Sequence, residues 1–274
     1  FADLHHPEYW NLGFVRHDSL RQEYQQIVDA ILEALHFMEA VSTNPIGDVD
    51  RVSFYTSHEA LLLPYEESFT RRALKDAPTY NLSTHFPWIG KRTSHVDGAH
   101  VEYARGIRNP LGLKIGPGTT TDGLISLLER LNPDNEAGRI TLITRFGANQ
   151  IADGLAPLLA HVEREGRLVL WACDPMHGNT ETLSNGIKTR RFDNIKSELE
   201  QAFDLHADHG TILGGVHLEL TGENVTECIG GARGLEEEDL HRAYQSQVDP
   251  RLNGEQALEL AFAIVRKRRA MLSK

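Results

Sequence analysis

The chain has 274 residues, a length that suits one α/β barrel or two modest domains and that can bury a hydrophobic core. Its formal net charge of −11, without any basic and aromatic-rich segment, argues against a nucleic-acid interface. No apolar run approaches the length that a membrane-spanning helix needs, so we expect no membrane association.

The cysteine content indicates a reducing compartment. The only two cysteines, Cys173 and Cys228, lie in or near apolar predicted strands, which favours buried thiols over a disulfide scaffold. The N-terminus lacks the charged and apolar regions of a signal peptide, so we expect a cytoplasmic protein. Because the first residue is Phe1 and not Met, we also expect the chain to be part of a longer protein.

Predicted helices and strands alternate along the chain. Apolar residues at helical spacing predict a first helix that begins at Asp18 or Ser19 and reaches Met38. A strand is predicted at Arg51–Thr56, and a weaker one at Asn81–Phe86. The predicted strands begin near residues 51, 81, 111, 140, 168 and 212, and the later helices cover residues 101–107, 124–131, 151–163, 192–205, 240–244 and 256–265.

This order, a strand followed by a helix six times, predicts a parallel α/β sheet. Six units are too few to close a (β/α)8 TIM barrel. An open doubly wound sheet accounts for six, but the sequence has neither a Gly-x-Gly-x-x-Gly motif nor a P-loop. A barrel whose first two strands lie upstream of Phe1 also fits. The start without Met favours this second interpretation, in which residues 1–274 form the C-terminal portion of one barrel domain.

A buried strand over residues 168–171 is followed by the polar residues Asp174, His177 and Asn179. Parallel α/β folds commonly build active sites from such residues at the carboxyl ends of strands. From this stretch alone, a polar loop with a hydrogen-bonded histidine is an equally good explanation.

A second stretch with the same pattern shifts the balance towards a site. Strand alternation in residues 211–227 puts His217 and Glu219 on one face, which is costly unless the two groups are paired or bind a metal. Asp249 adds a carboxylate in a later loop. His177, Glu219 and Asp249 together make a plausible set of nitrogen and oxygen ligands for a divalent ion.

Cationic side chains follow three successive strands: Lys91 and Arg92, then Lys114, then Arg145. For any one of them a structural salt bridge is the simpler explanation. Because the carboxyl ends of parallel strands meet at one edge, the four cations together indicate a site for phosphate and carboxylate groups. The sequence thus predicts an anionic, phosphorylated substrate beside a divalent metal.

Seven segments closely resemble the class II 3-deoxy-D-arabino-heptulosonate 7-phosphate (DAHP) synthases, over nearly the whole chain. They are residues 97–102 (DGAHVE), 105–110 (RGIRNP), 114–117 (KIGP), 171–179 (WACDPMHGN), 188–190 (KTR), 214–231 (GGVHLELTGENVTECIGG) and 249–253 (DPRLN). The resemblance implies a (β/α)8 barrel and a homo-oligomer. It also implies condensation of phosphoenolpyruvate with erythrose 4-phosphate, the entry step of the shikimate pathway, with Mn²⁺ or Co²⁺ as cofactor.

By motif, the resemblance implies that His177, Glu219 and Asp249 ligate the metal. It also implies that Lys91, Arg92, Lys114 and Arg145 hold phosphoenolpyruvate, and it puts Lys114, His177 and His217 in the catalytic set. His217 can transfer a proton or be a hydrogen-bonded histidine at a strand end, and Asp174 can orient His177 or cap the following turn. Glu227 and Cys228 are interpreted as structural.

The sequence departs from the family pattern at three places. Lys91 stands where the family usually has Glu, so only a contact from its backbone N–H is expected to persist. Val248 replaces a Cys that many members carry before the DPRLN segment. The family's fourth metal ligand is a Cys on the first barrel strand, and neither Cys173 nor Cys228 matches it.

Two alternative functions remain open: another metal-dependent phospho-sugar aldolase, and a non-catalytic truncated barrel subunit.

Overall fold

The computed structural model describes residues 7–41, 53–72, 74–75 and 77–272. The chain divides into two compact units. The first, here called the sheet unit, is Tyr55–Glu219. The second, here called the helical unit, consists of Phe1–Phe54 and Leu220–Lys274.

The sheet unit is built on one parallel sheet of six strands. The strands follow one another in the sheet as they do in the chain: β1 (Ser57–Glu59), β4 (Phe86–Ile89), β5 (Leu111–Ile115), β6 (Ile140–Thr144), β7 (Leu170–Cys173) and β10 (Gly215–Val216). Two antiparallel pairs lie outside it, β2 (Thr70–Arg72) with β3 (Thr79–Asn81), and β8 (Thr180–Thr182) with β9 (Lys188–Arg190).

Helices connect the parallel strands. They are α2 (Leu63–Phe69), α3 (Ala99–Arg105), α4 (Thr121–Leu131), α5 (Ile151–Arg164) and α6 (Phe192–Asp208). From α3 to α6, each helix packs against the next one along the chain. Because parallel crossovers are right-handed, strands in sequential order leave their helices on one side of the sheet. The side chain of Thr120 caps α4 by accepting a hydrogen bond from the N–H of Gly123.

The predicted parallel α/β fold is confirmed. All five residues of β5 are buried, as expected for a strand covered on both faces. The strand order has no reversal, whereas a doubly wound sheet needs one, so the open doubly wound alternative is wrong. Strands that neighbour one another in chain order are what part of a (β/α)8 barrel would show. The complete eight-stranded barrel stays a prediction.

The first two predicted strands are displaced along the chain. Residues 51–52 of the predicted strand Arg51–Thr56 lie outside the described part of the chain, and residues 53–56 are not in a strand. The strand is instead Ser57–Glu59, which pairs with Phe86–Trp88. The second strand of the sheet is correspondingly Phe86–Ile89 and not Asn81–Phe86. Both errors have one cause: these strands, of three and four residues, are too short to produce a periodic apolar pattern.

The last parallel strand is shorter than predicted. Only Gly215 and Val216 are in β10, which pairs with Ala172 and Cys173 of β7 at the edge of the sheet. The ladder continues for one more hydrogen bond, from the N–H of His217 to the carbonyl of Cys173 at 2.8 Å. The edge position explains the short strand, because only one neighbour is present to extend the pairing.

The helical unit contains α1 (Asp18–Val41) and α7 (Gly254–Leu272), with short 3₁₀ helices at Pro7–Tyr9 and Glu237–Arg242. Its core includes Tyr24 of α1 and Phe262 of α7, whose ring centroids are 4.4 Å apart. Burial of the hydroxyl and the nearby Glu259 carboxylate raise the pKa of Tyr24. The predicted first helix is confirmed, and its apolar spacing is the spacing of the buried face.

Within the described residues, no helix combines the length and the apolar character that crossing a bilayer requires. Cys173 and Cys228 are both buried and are not joined in a disulfide, and their reduced state in the cell stays a prediction. Burial, reinforced by the Glu198 and Asp174 carboxylates, raises the pKa of Cys173 well above that of an exposed thiol.

His206 of α6 makes the stability of the sheet unit depend on pH. The residue is fully buried, its Nδ1 lies 2.7 Å from Thr211 Oγ1, and its ring packs edge-on against Trp171. Burial lowers its pKa from 6.5 to about 4. The unfolded chain therefore takes up the proton first, so the stability present above pH 6.5 is lost as the pH falls towards 4, by about 3 kcal/mol from this one group.

Urea unfolding of the wild type and of His206→Gln between pH 4 and 7.5 measures this contribution. We expect the free-energy difference between the two proteins to shrink as the pH falls below 6.5. A difference that is constant with pH would contradict the assignment of a neutral, buried His206.

Candidate active site

A buried ion pair lies at the carboxyl ends of β5 and β7. Lys114 is on β5, and Asp174 directly follows β7. Their side chains are 4% and 0% exposed, and Lys114 Nζ lies 2.5 Å from Asp174 Oδ2. Because a buried charge is costly unless it is paired, this contact defines the relative position of the two strand ends.

His177 connects this ion pair to two further charged residues, Glu219 and Arg190. Its Nδ1 lies 2.7 Å from Asp174 Oδ2, and its Nε2 lies 3.1 Å from Glu219 Oε1. The other oxygen of Glu219 accepts a 2.5 Å hydrogen bond from Nη1 of Arg190, a fully buried residue of β9. These contacts join five side chains of alternating charge, called the charge row below: Lys114, Asp174, His177, Glu219 and Arg190.

The pKa values of the charge row follow from these contacts. Burial alone would raise the pKa of Asp174, but the hydrogen bond from His177 and the Lys114 ammonium bring it well below the ordinary range. Burial likewise opposes the charged form of His177, yet hydrogen bonds to Asp174 and Glu219 raise its pKa to about 9. The pKa of Glu219 falls to about 2, against the effect of burial, through His177 and Arg190. At neutral pH all three groups are therefore charged.

Asp174 has both of the roles that the sequence left open. Its Oδ1 accepts hydrogen bonds from the backbone N–H groups of Met176 and His177, so it caps the turn. Its carboxylate also bonds to Nδ1 of His177 and leaves Nε2 directed at Glu219. A carboxylate behind a histidine in this way sets the tautomer and the ring orientation.

Trp88 and His217 border the charge row. The Lys114 ammonium lies 4.4 Å from the centroid of the Trp88 ring, and the His217 ring packs edge-on against the same indole at 5.6 Å. Burial and the Lys114 charge lower the pKa of His217. His217 is therefore neutral at pH 7, and its ring centroid lies 6.3 Å from that of His177.

The structure brings some of the predicted cations to the charge row. Arg145 follows β6 and donates a hydrogen bond from Nη2 to the carbonyl of His177, so it lies beside the row. Lys91 and Arg92 lie in a short 3₁₀ helix after β4, and Arg92 is exposed. Among the described residues, neither of these two side chains hydrogen-bonds to a member of the row.

Asp249 belongs to the helical unit, in a loop that Glu227 organises. The fully buried carboxylate of Glu227 accepts hydrogen bonds from the N–H groups of Gln245, Ser246 and Arg251, and also bonds to the Arg251 guanidinium. Both sides of the Asp249 loop are therefore attached to one side chain. The interpretation of Glu227 as structural is confirmed.

His177 and Glu219 have the chemistry of a metal-binding pair. Their Nε2 and Oε1 atoms approach to 3.1 Å, so both can reach one cation, and an imidazole with a carboxylate suits Mn²⁺, Co²⁺ or Zn²⁺. At neutral pH this contact is an ion pair, because the hydrogen bonds to Asp174 and Glu219 raise the pKa of His177 to about 9.

Sequence reasoning missed Arg190 as a member of the charge row. Arg190 lies in one of the segments that resemble the family, residues 188–190. The sequence alone does not show, however, that this arginine is buried. Its contact with Glu219 spans 29 residues. The pairing of Lys114 with Asp174 spans 60 residues and was equally invisible.

We expect Asp174→Asn to destabilise the protein by roughly 3–5 kcal/mol, because it leaves the Lys114 ammonium buried without a carboxylate. The double variant Lys114→Met/Asp174→Asn should recover much of this loss, since it buries neither charge alone. Urea unfolding of Asp174→Asn, of Lys114→Met and of the double variant measures both effects. Additive losses in the double variant would mean that the two residues do not act as a pair.

Comparison with known proteins identifies the family of this chain. The Class-II DAHP synthetase family matches residues 1–265. Relatives named phospho-2-dehydro-3-deoxyheptonate aldolase are 50% identical in Neurospora crassa, 46% in Streptomyces coelicolor and 45% in Mycolicibacterium smegmatis, each over 96% of this chain. The chain spans 58% of the length of these relatives.

Among solved structures, a truncated 3-deoxy-D-arabino-heptulosonate 7-phosphate synthase from Thermotoga maritima aligns with 80% of this chain and 66% of its own. The TM-score is 0.43 at 15% identity, which is too low to support an argument about the fold. The chain belongs to the class II DAHP synthetase family.

Proposed function

We propose that the full-length protein condenses phosphoenolpyruvate with erythrose 4-phosphate to give DAHP and inorganic phosphate, as a transferase of the shikimate pathway. The observation that carries this proposal is the contact of His177 with Glu219 beside the buried Lys114, in a chain of this family. The related enzymes bear the name of this activity, and their identity to this chain is 45–50%.

We assign Mn²⁺ or Co²⁺ as the cofactor, with His177, Glu219 and Asp249 as its protein ligands. The proximity of Nε2 of His177 and Oε1 of Glu219 supports the first two. For Asp249 we rely on its place in the segment of residues 249–253. A divalent ion bound there supplies Lewis-acid chemistry for an aldehyde or for water.

We assign Lys91, Arg92, Lys114 and Arg145 to phosphoenolpyruvate. Guanidinium and ammonium groups bind phosphate and carboxylate through charge-assisted hydrogen bonds. Within this set, Lys114 belongs to the charge row, and Arg145 donates a hydrogen bond to the carbonyl of His177, another member of the row. Such contacts hold carbon 3 of the substrate in attack geometry towards the aldehyde, while water adds at carbon 2 before phosphate leaves.

His217 is our candidate for proton transfer. It is neutral at pH 7 because burial and the Lys114 charge lower its pKa, so it can accept a proton. Its perpendicular contact with the Trp88 ring helps to hold the imidazole beside the charge row. We also propose a cytoplasmic homo-oligomer, with phosphoenolpyruvate and erythrose 4-phosphate as partners and with neither nucleic acid nor membrane.

Two other functions remain as alternatives. A related metal-dependent aldolase would accept another aldose in place of erythrose 4-phosphate. A truncated, non-catalytic barrel subunit would bind ligands without turnover. Release of inorganic phosphate from phosphoenolpyruvate in the full-length protein, tested with erythrose 4-phosphate and with other aldoses, separates all three.

We expect His177→Ala in the full-length protein to abolish turnover and to weaken Mn²⁺ binding, because it removes a ligand. Phosphate release and titration calorimetry with Mn²⁺ measure the two effects. Retention of the wild-type rate by this variant would refute the metal assignment.

Lys114→Ala should mainly raise the KM for phosphoenolpyruvate, by roughly 10- to 100-fold, as expected for the loss of one charge-assisted contact worth ~1.5–3 kcal/mol. Because this change also leaves Asp174 buried without its lysine, thermal unfolding must show that the variant is folded at the assay temperature. An unchanged KM would place Lys114 outside the substrate site.

A further inference from the structure

Glu198 has a buried carboxylate that accepts hydrogen bonds from two groups of the neighbouring loops. It lies on α6, is fully buried, and accepts 2.7 Å hydrogen bonds from the N–H of Phe146 and from Nδ2 of Asn179. Burial raises its pKa to about 7, against the effect of these bonds and of the N–H of Gly147. Burying a carboxylate costs free energy. A carboxylate is nevertheless the side-chain group with two acceptor oxygens, so it can accept from the N–H of Phe146 and from Nδ2 of Asn179 at the same time.

Asn179 links the same two loops from the other side. Its Oδ1 accepts a 3.0 Å hydrogen bond from the N–H of Ala148, in the loop after β6. Its Nδ2 donates to Glu198 and, at 2.8 Å, to the carbonyl of Pro175 in its own loop. Asn179 and Glu198 therefore connect the loop of residues 145–148 with the loop of residues 174–179.

The two loops are also in direct backbone contact. A Cβ atom on Gly178 would lie 2.3 Å from the backbone nitrogen of Gly147. A Cβ atom on Gly147, whose φ is 89°, would lie 2.7 Å from the carbonyl oxygen of Gly178. Neither position accepts a side chain without displacing the other loop.

Each loop carries one residue of the proposed site. Arg145, which we assign to phosphoenolpyruvate, begins the first loop, and His177, which we assign to the metal, lies in the second. The Arg145 guanidinium donates to the carbonyl of His177, so a shift of one loop moves both groups. Neither Asn179 nor Glu198 is itself assigned to the metal or to the substrate.

We propose that Asn179 and Glu198 are positioning residues that hold the Arg145 and His177 loops as one rigid pair, so that the metal site and the anion site depend on the same buried contact. This inference rests on the proposed function, because it needs His177 to bind the metal and Arg145 to bind the substrate. It goes beyond that function by assigning a role to two residues that touch neither ligand.

The test exchanges the acid and the amide. Glu198→Gln keeps a carbonyl oxygen for the N–H of Phe146 but turns an amide NH2 towards Nδ2 of Asn179, so two donors face each other. Asn179→Asp places two carboxylates in contact. The double variant Glu198→Gln/Asn179→Asp restores one donor facing one acceptor and keeps the net charge of the wild type, although it loses the bond to the Pro175 carbonyl. Glu200→Gln, which removes the same charge from the same helix, is the matched control.

Titration calorimetry on the intact protein measures the dissociation constants for Mn²⁺ alone and for phosphoenolpyruvate with EDTA, well below each thermal midpoint. We expect Glu198→Gln to weaken both by about tenfold or more and the double variant to recover most of each loss, while Glu200→Gln changes neither. If Glu198→Gln keeps both constants and only its thermal midpoint falls, or if the double variant folds without recovering binding, the inference is overturned.

Should Glu198→Gln fail to fold, the double variant carries the test alone: binding of both ligands within about threefold of the wild type supports the inference, and loss of both overturns it. Failure of the wild type to bind either ligand would instead overturn the proposed function. The two failures are therefore distinguishable.

Discussion

The site depends on the pairing of buried charges along the row from Lys114 to Arg190. Three of its five members, Lys114, Asp174 and Arg190, are almost completely removed from solvent. Each of them has an oppositely charged neighbour within 2.5 Å, which offsets the cost of desolvation. Since these residues come from β5, β9 and the loop after β7, their pairing fixes how the strand ends meet.

The sheet explains why this row forms where it does. Parallel strands in sequential order present all their carboxyl ends at one edge, so residues far apart in the chain arrive together. His177 lies between two carboxylates, those of Asp174 and Glu219. Their different positions give them different roles. Asp174 is fully buried and bonds to Nδ1 of the imidazole, whereas Glu219 is partly exposed and lies beside Nε2.

Predictions from the sequence failed mainly at the short strands. β1 has three residues and β10 has two, and neither is long enough for apolar alternation to be recognised. The long helices and the buried central strands β5 and β6 were placed within a few residues. Their apolar patterns extend over several turns or a complete strand, so the periodicity identifies them.

The sequence by itself determined the parallel α/β order, the family, and His177 and Glu219 as candidates for the proposed metal site, because apolar runs and long motifs are local properties of the chain. Only the tertiary structure decided which charges pair. The contacts of Lys114 with Asp174, of Arg190 with Glu219 and of Glu198 with Phe146 span 60, 29 and 52 residues. Over such separations no local pattern records a contact, since the partner is chosen by the packing of the sheet and not by the neighbouring sequence.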